Sequence, residues 1–317
     1  MKKEQKTADG WNPEHLPSQK GKSIIITGGT SGIGYESALA LCSCGADVTI
    51  AARNPEKGNA VIGKIISAYP DSQIQFMELD TSDQNSVHCF SEKWLTDNKR
   101  IDTLILNAGI SNVPNREITS DGFERQLATN YLGHFALTAM LFPAMQDSSD
   151  ARIIATSSLA HKRTTLNLDD LQLKESYTPM KGYAQSKLAV LTFILELARR
   201  LKDSGCDIKA IPIHPGVAAT DITRGGDKAS PIRHRFAKTM FGIIGQSAKH
   251  GAYPILYAAT SEQATSGIFY GPSGAGERKG LPAKAKIAPF AQDRETAIRL
   301  WDESEKLTGV SFLLTSS

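Results

Sequence analysis

The sequence predicts an α/β protein: a single doubly wound domain around a mostly parallel seven-stranded sheet. Short β-branched runs alternate with longer runs of helical periodicity, which is typical of βαβ units and hence of parallel strands. A glycine-rich stretch joins the first strand-like run to the first helix-like run. The composition does not shift along the 317 residues, of which 40% are hydrophobic and 22% charged. One large core is therefore expected.

The first half of the chain carries four predicted strands, each followed by a predicted helix. The opening run SIIIT is short, β-branched and followed closely by glycines, so it is expected to be a buried strand. The same alternation then repeats three times. The predicted strands are 23–27, 48–52, 74–79 and 103–106, and the predicted helices are 33–44, 55–68, 86–97 and about 121–145.

The second half continues the alternation with three strands, 151–157, 208–213 and 267–270, and with helices 183–201, 247–259 and about 293–306. Two connections, 164–180 and 221–245, are unusually long, and long loops after strand ends tend to be functional. The glycine-rich stretch 271–281 is interpreted as a surface excursion. The predicted organisation is a leader (1–20), one domain (21–309) with a variable substrate loop (221–245), and a tail (310–317).

Composition excludes several classes of function. The net charge is only +3 and the basic clusters are short, which argues against nucleic-acid binding. No apolar run approaches the roughly 18 residues that span a bilayer, and the segment up to Lys22 has no signal-peptide core, so we expect a cytoplasmic protein. The four cysteines lack paired C-x-x-C spacing, which favours free buried thiols and predicts no metal site.

The stretch TGGTSGIG, residues 27–34, lies where dinucleotide folds bind a pyrophosphate. Glycines let the backbone turn tightly and approach phosphates, and a helix N-terminus supplies free N–H groups and a favourable dipole. A tight turn without a ligand is the alternative. The candidate cofactor residues of this loop are Gly28, Thr30, Ser31, Gly32, Ile33 and Gly34.

The end of the second predicted strand reads AARN and places Arg53 where many dinucleotide folds carry an acidic residue. A carboxylate there binds a ribose 2′-hydroxyl, whereas an arginine pairs with a 2′-phosphate. The sequence therefore favours NADP over NAD. A solvated arginine at a strand end is the other interpretation.

Tyr183 and Lys187 stand four positions apart at the start of predicted helix 183–201. Four residues make about one helical turn, so both side chains share a face. A cation one turn away stabilises a phenolate and lowers the tyrosine pKa from its ordinary value of ~10. The pair is a candidate general acid/base; the alternative is a surface tyrosine beside a solvated lysine.

Three motifs in register resemble the classical short-chain dehydrogenase/reductase family: the glycine turn, the run LNAG at 106–109, and Tyr183-x-x-x-Lys187. The resemblance covers about residues 20–270 and implies a Rossmann fold with a nicotinamide cofactor. From the residues alone, Asp80 could instead cap the following helix and Pro215-Gly216 could be a plain turn. The resemblance assigns cofactor contacts to Tyr183, Lys187, Asp80, Asn107, Ala108, Gly109, Pro215, Gly216 and Thr220.

The resemblance also implies how the catalytic residues act. Tyr183 protonates the alkoxide formed on hydride transfer, and Lys187 lowers the phenol pKa and holds the nicotinamide ribose. Asn130 connects Lys187 through water to solvent. Successive side chains of a strand point to opposite faces, so Ser157 and Ser158 cannot both face the cofactor, and the resemblance selects Ser158 for the carbonyl oxygen.

The run SSLAH at 157–161 and the long insert before Tyr183 are similar to the retinol dehydrogenase and protochlorophyllide reductase-like branch, although Ala184-Gln185 replaces a Cys-His pair common there. His161 either lines the pocket or is a solvated loop residue. The predicted function is an NADP(H)-dependent carbonyl reductase or alcohol dehydrogenase. The alternatives are an inactive dinucleotide-binding sensor and a reductase of a tetrapyrrole C=C bond.

The substrate is expected to be a small molecule of apolar character, because the variable loop carries the apolar residues Phe236, Met240, Phe241 and Ile243. A lid helix with its core face formed by these residues is the other interpretation. The family resemblance implies a homodimer or homotetramer, formed through the long helices predicted at 121–145 and 183–201.

Overall fold

The computed structural model describes residues 7, 9–97, 100–217 and 246–313, and all structural statements concern these residues. Strands and helices alternate as predicted as far as the helix expected at 247–259, and the strand expected at 267–270 lies at Tyr270–Pro272. The strands are β1 Ser23–Thr27, β2 Asp47–Ala52, β3 Gln73–Glu78, β4 Thr103–Leu106, β5 Arg152–Thr156, β6 Lys209–Ile213, β7 Tyr270–Pro272 and β8 Pro282–Lys284. The helices are α1 Gly32–Ser43, α2 Pro55–Ala68, α3 Gln84–Thr96, α4 Arg125–Leu127, α5 Gly133–Leu141, α6 Pro143–Gln146, α7 Pro179–Asp203, α8 Ala248–Thr260 and α9 Arg294–Thr308.

The strands form one sheet in the order β3-β2-β1-β4-β5-β6-β7-β8. All neighbours pair in parallel except β7 and β8, which are antiparallel. The single mostly parallel α/β domain is confirmed, but the sheet has eight strands rather than seven. The strand order reverses between β1 and β4, so their carboxyl ends open the crevice in which such folds bind ligands.

Both faces of the sheet are buried at its central strands β1, β4, β5 and β6, which explains why these strands are mostly apolar, whereas the edge strand β3 alternates and is only half-buried. Ile25 and Leu104 pack toward α3, α5 and α7, in a core that also contains Phe135 and Phe193. Their neighbours Ile24 and Ile26 point to the opposite face, in the core that contains residues of α1, α2 and α8. The β-strand period of two thus distributes consecutive isoleucines between two cores.

The helix predicted over 121–145 is divided into separate pieces. Glu124 caps α4 by accepting hydrogen bonds from the N–H groups of Gln126 and Leu127. A π-helical turn, Ala128–Leu132, follows, and α5 and α6 complete the segment. π turns are typical of functional sites because the extra residue reorients a side chain. Here the turn contains Asn130.

The C-terminal stretch interpreted as a surface excursion returns to the sheet edge. It contains a 3₁₀ turn, Ala275–Glu277, and is followed directly by β8, whose three residues begin with a proline and show no alternation that could have been recognised. Beyond it, α9 packs on α7 and α5, where Trp301 contacts Phe135 and Phe193. This helix covers part of the two segments through which dimerisation is expected.

The N-terminal leader packs on the domain. Trp11 is buried and its indole N–H donates to Thr260 Oγ1 of α8 at 3.0 Å.

All four cysteines are free, but only Cys42 is buried and Cys89 is exposed, which corrects the expectation of four buried thiols. In the part of the chain that the structure describes, no helix is long and apolar enough to cross a membrane.

Candidate active site

The glycine loop between β1 and α1 brings backbone segments too close for side chains. Gly28 and Gly32 have φ values of +71° and +55°, in the left-handed region that favours glycine. A Cβ on Gly28 would lie 2.8 Å from the Cα of Ala108, and one on Gly34 would lie 2.6 Å from Asn107 Nδ2. The Ser31 side chain makes no capping hydrogen bond. The first N–H groups of α1 therefore face the crevice without a side-chain cap, as an anion site requires.

Thr27 and Asn107 lock this loop onto the end of β4. The amide Nδ2 of Asn107 donates to the carbonyl oxygens of Thr27 and Gly28, at 3.0 and 3.3 Å. The backbone N–H groups of Asn107 and Ala108 donate to Thr27 Oγ1 at 2.9 and 3.0 Å. Thr27 was not predicted as a site residue. Its only sequence signal is a hydroxyl at the end of a buried strand beside the glycines.

His134 connects these hydrogen bonds of Thr27 and Asn107 to the π turn. Its Nδ1 lies 3.0 Å from the carbonyl oxygen of Asn130, and its Nε2 lies 2.9 Å from Thr27 Oγ1. A carbonyl can only accept, so Nδ1 donates and Nε2 accepts from the threonine hydroxyl. Burial lowers the pKa of His134 to about 4, with a smaller opposing contribution from its hydrogen bond to Asn130. The neutral imidazole thus connects the glycine loop to the π turn.

Asn130 is fully buried and its amide is held on both sides. Its Oδ1 accepts from the N–H of Ile110 at 2.7 Å, and its Nδ2 donates to the Ile110 carbonyl at 2.9 Å and to Ser186 Oγ at 2.8 Å. A Cβ on Gly109 would lie 3.1 Å from Asn130 Oδ1 and 3.2 Å from Lys187 Nζ. The structure therefore brings Asn130, Lys187 and the backbone of Gly109 together.

Tyr183 and Lys187 lie one turn apart near the start of α7, which begins four residues earlier than predicted. Lys187 is buried and its ammonium donates to the carbonyl oxygen of Thr156 at 2.9 Å. Burial lowers the pKa of Lys187 to about 8. Burial raises the pKa of Tyr183, and a hydrogen bond from Ser158 opposes this in part.

The direction of the Tyr183 shift corrects the sequence-based expectation. Lys187 was expected to lower the phenol pKa, but burial of the phenol raises it and the hydrogen bond to Ser158 opposes that rise only in part. The ammonium is also engaged by the Thr156 carbonyl. At neutral pH the site therefore holds a protonated phenol beside a protonated amine.

The two adjacent serines have different partners. Extended backbone continues beyond β5, because the Ser157 N–H donates to the Ile213 carbonyl at 2.8 Å and Ser158 has φ −154° and ψ 157°. Ser157 is buried and its hydroxyl donates to the backbone carbonyl of Lys187 at 2.7 Å. The Ser158 hydroxyl contacts Tyr183 and accepts from the N–H of Ala160 at 3.2 Å. Only Ser158 is placed beside the phenol.

Arg53 and Asp80 lie at the end of the crevice opposite Tyr183 and Lys187. Arg53 is exposed just after β2, and its side chain has no hydrogen bond or ion pair with the rest of the described chain. Asp80 accepts hydrogen bonds from the N–H and hydroxyl of Ser82, at 2.9 and 2.7 Å. The alternative role of Asp80 as the cap of the next helix is wrong, because Asp83 caps α3.

Pro215 and Gly216 follow β6 and lean on the C-terminal excursion. Gly216 has φ +67°, and a Cβ there would lie 2.8 Å from Pro272 Cγ. Val217 N–H donates to the Arg278 carbonyl at 2.9 Å. Thr220 and the variable loop 221–245, with Phe236, Met240, Phe241 and Ile243, lie outside the described residues.

His161 is not a solvated loop residue. It is buried, its Nδ1 donates to the Ser158 carbonyl at 2.6 Å, and its ring meets Phe269 edge-on with centroids 5.4 Å apart. Burial lowers its pKa, more than the hydrogen bond to Ser158 raises it. A neutral His161 thus holds the turn that carries Ser158.

These features fit a dinucleotide along the carboxyl edge of the sheet. The glycine loop leaves backbone room and N–H groups without a side-chain cap for phosphates, and at one end Arg53 supplies a cation that has no partner among the described residues. The Tyr183, Lys187 and Asn130 group lies at the other end. Among the residues that the structure describes, no cluster of three or more His, Cys, Asp or Glu side chains could hold a metal ion.

Comparisons with known proteins agree with this geometry. The family model described as short chain dehydrogenase matches residues 22–230. Retinol dehydrogenase 13 of Homo sapiens is 37% identical over 294 residues, which cover 92% of this chain and 85% of that protein. Polyprenol dehydrogenase of Homo sapiens is 33% identical over 300 residues, covering 93% and 87%.

A solved structure is similar to this chain in both sequence and fold. The crystal structure of an uncharacterized protein from Mycobacterium paratuberculosis is similar with a TM-score of 0.77 and 35% sequence identity, covering 96% of this chain and 99% of that one. Sequence and fold thus agree over nearly the whole chain. The chain belongs to the short-chain dehydrogenase/reductase family of oxidoreductases, in its retinol dehydrogenase-like branch.

Proposed function

We propose that the protein is an NADP(H)-dependent oxidoreductase that interconverts a carbonyl compound and an alcohol, with Tyr183 as the general acid/base. One observation carries the proposal. The Tyr183 phenol is hydrogen-bonded to Ser158 and lies one helical turn from the buried ammonium of Lys187. The hydroxyls of Ser158 and Tyr183 can thus both contact one carbonyl oxygen, with the Lys187 ammonium one helical turn away.

The chemistry follows from these protonation states. The nicotinamide, when bound, supplies the hydride that reaches the carbonyl carbon. Ser158 donates a hydrogen bond to the carbonyl oxygen, and Tyr183 transfers its phenolic proton to that oxygen as negative charge develops. The raised pKa of Tyr183 keeps the proton on the phenol at neutral pH. Lys187 then stabilises the phenolate until it is reprotonated, and the reversed steps oxidise an alcohol.

The cofactor is held mainly by backbone. The loop Gly28 to Gly34 and the N-terminus of α1 bind the pyrophosphate, and Asp80 contacts the adenine ring. Arg53 pairs with a 2′-phosphate, since an exposed guanidinium at this strand end matches that group and the strand end carries no carboxylate for a 2′-hydroxyl. The remaining contacts are assigned to Asn107, Ala108, Gly109, Tyr183, Lys187, Pro215, Gly216 and Thr220.

The substrate we propose is a long apolar alcohol or its aldehyde. Support comes from the relatives, which include a retinol dehydrogenase and a polyprenol dehydrogenase, both named for apolar alcohols. Tyr183 is also half-buried, and burial raises the pKa of its phenol, which suits a substrate that excludes water.

The experiment is a screen of aldehydes, ketones and alcohols that follows NADPH and NADH absorbance. We expect NADPH to be consumed with long apolar aldehydes and NADH to be used less efficiently. Calorimetric binding of NADPH without turnover of any carbonyl or alcohol would instead support the sensor alternative.

A further inference from the structure

Glu277 has a backbone conformation that a side chain disfavours. Its φ is +57°, directly after Gly276 at +64°, and residues with a Cβ rarely adopt this left-handed region. Glycine would relieve the strain. A glutamate at such a position suggests that its carboxylate has a function, because strained residues cluster where geometry is functionally constrained.

Both carboxylate oxygens of Glu277 are engaged. Oε2 accepts from the ammonium of Lys162 at 2.7 Å, and Oε1 accepts from the Lys286 N–H at 2.8 Å. The same Oε2 lies 3.6 Å from Nε2 of His214. The Glu277 side chain is 17% exposed, whereas that of Lys162 is 35% exposed, so the carboxylate is largely shielded from water and the ammonium is not. One carboxylate therefore touches three separate segments.

His214 belongs to the segment proposed to grip the nicotinamide. It is fully buried, and its Nδ1 accepts from the N–H of Gly216 at 3.1 Å, so the ring proton is on Nε2. That N–H has no hydrogen-bond partner within the described residues and points toward Glu277. Gly271 makes room for the ring, because a Cβ there would collide with the imidazole. Glu277 thus faces the side chain that orients Gly216.

Lys162 belongs to the turn that carries Ser158. The 3₁₀ turn Leu159–Arg163 starts from the Ser158 cap, and His161 within it holds the Ser158 carbonyl. The rings of His161 and His214 both pack on Phe269, with centroids 5.4 and 5.0 Å from it. The Ser158 turn and the His214 segment therefore meet at Phe269, and Glu277 contacts both.

We infer that Glu277 is a positioning residue that sets the Ser158 turn relative to the His214–Gly216 segment, and so aligns the carbonyl-oxygen donor with the nicotinamide. This inference rests on the proposed function. Glu277 itself touches neither reactant. It acts through Lys162 on one side and through His214 on the other.

The test is Glu277→Gln, which keeps the size and the acceptor for Lys286 N–H but removes the charge. Small misplacements of reacting groups lower rates by up to ~10²-fold, so we expect kcat for carbonyl reduction to fall by roughly tenfold or more. KM for the carbonyl should change little. The fluorescence of bound NADPH, which senses the nicotinamide environment without turnover, should also shift. Glu277→Asp, which keeps the charge, should recover part of both losses.

The matched control is Glu303→Gln, which removes a glutamate paired with Lys306 on α9 and should leave kcat and fluorescence unchanged. Lys162→Met should reproduce the loss, and combining it with Glu277→Gln should add little. This second variant also serves if Glu277→Gln does not fold. Native kcat and native NADPH fluorescence in both variants, even with lowered Tm, would overturn the inference. Because the fluorescence needs no substrate, it tests Glu277 even if no carbonyl is reduced.

Discussion

Two regions of the crevice are built by different means. The glycine loop, residues 27–34, is a continuous segment shaped by backbone: two positive φ angles and approaches that exclude a Cβ. The reaction region combines Ser158, Tyr183, His214 and Glu277 from separate segments, and depends on buried or half-buried side chains with specific partners. The glycine loop works because small residues leave room for a ligand, whereas the reaction region works through the specific functional groups of its side chains. Substitutions in the loop should therefore change cofactor affinity, and those in the reaction region should change turnover.

The largest effect that separates the regions is expected for Ser158→Ala. Losing a hydrogen bond to a developing oxyanion costs about 2.7–4 kcal/mol, a rate loss of roughly 10²–10³. NADPH affinity by calorimetry should be nearly unchanged. Ser157→Ala is the matched control, because that hydroxyl donates to the Lys187 carbonyl and should affect stability instead. Abolished turnover in Ser157→Ala with nearly intact Ser158→Ala would reverse the assignment.

Gly34→Ala tests the loop. The added methyl group would lie 2.6 Å from Asn107 Nδ2 and must displace the Asn107 amide that holds the loop on β4. Overpacking costs on the order of 1–3 kcal/mol, and we expect a loss of that size in the binding of both NADPH and NADH. Gly63→Ala in α2 is the control, since nothing lies within 4 Å of its Cβ position. Native dinucleotide affinity in Gly34→Ala would show that the loop does not bind the cofactor.

Arg53→Ala should separate the two cofactors. A charged hydrogen-bonded contact contributes about 1.5–3 kcal/mol, and the exposure of Arg53 places its expected effect near the lower limit. NADPH affinity should fall about tenfold while NADH affinity stays constant. Equal affinities of the native protein for both dinucleotides by calorimetry would contradict the NADP assignment.

The smallest expected effect is a pH dependence. Burial lowers the pKa of Lys187 to about 8, so the amine is charged below that pH and neutral above it. Burial raises the pKa of Tyr183, so its phenol stays protonated through this range. Carbonyl reduction should therefore decline as pH rises through about 8, and Lys187→Arg, if folded, should shift that decline upward. A rate that is flat or rising to higher pH would exclude Lys187 as the group responsible.

Local patterns predicted much of the fold. The β-branched run of β1, the glycine loop and the Tyr183 to Lys187 spacing are encoded within a few residues, and the structure has these elements nearly where expected. Strand β8 was missed because a three-residue strand beginning with Pro282 has no period to detect. The π turn around Asn130 was missed because the sequence there reads as continuous helix.

The parts of the site that escaped prediction depend on contacts between distant segments. Glu277 lies 115 positions from Lys162, and no spacing rule connects them. Its left-handed backbone is also invisible in sequence, because the residue is not glycine. The direction of the Tyr183 pKa was predicted wrongly for the same reason: desolvation depends on how the chain packs around the phenol.

The most direct test of hydride transfer from the bound cofactor to a carbonyl uses NADPH that carries deuterium at both C4 positions of the nicotinamide, together with the best aldehyde of the screen. Mass spectrometry of the alcohol should show a single deuterium on the former carbonyl carbon. Tyr183→Phe should form this product at least ~10²–10⁴-fold more slowly while it binds NADPH as tightly as the native protein. Unlabelled product, or a near-native rate in Tyr183→Phe, would contradict the proposed function.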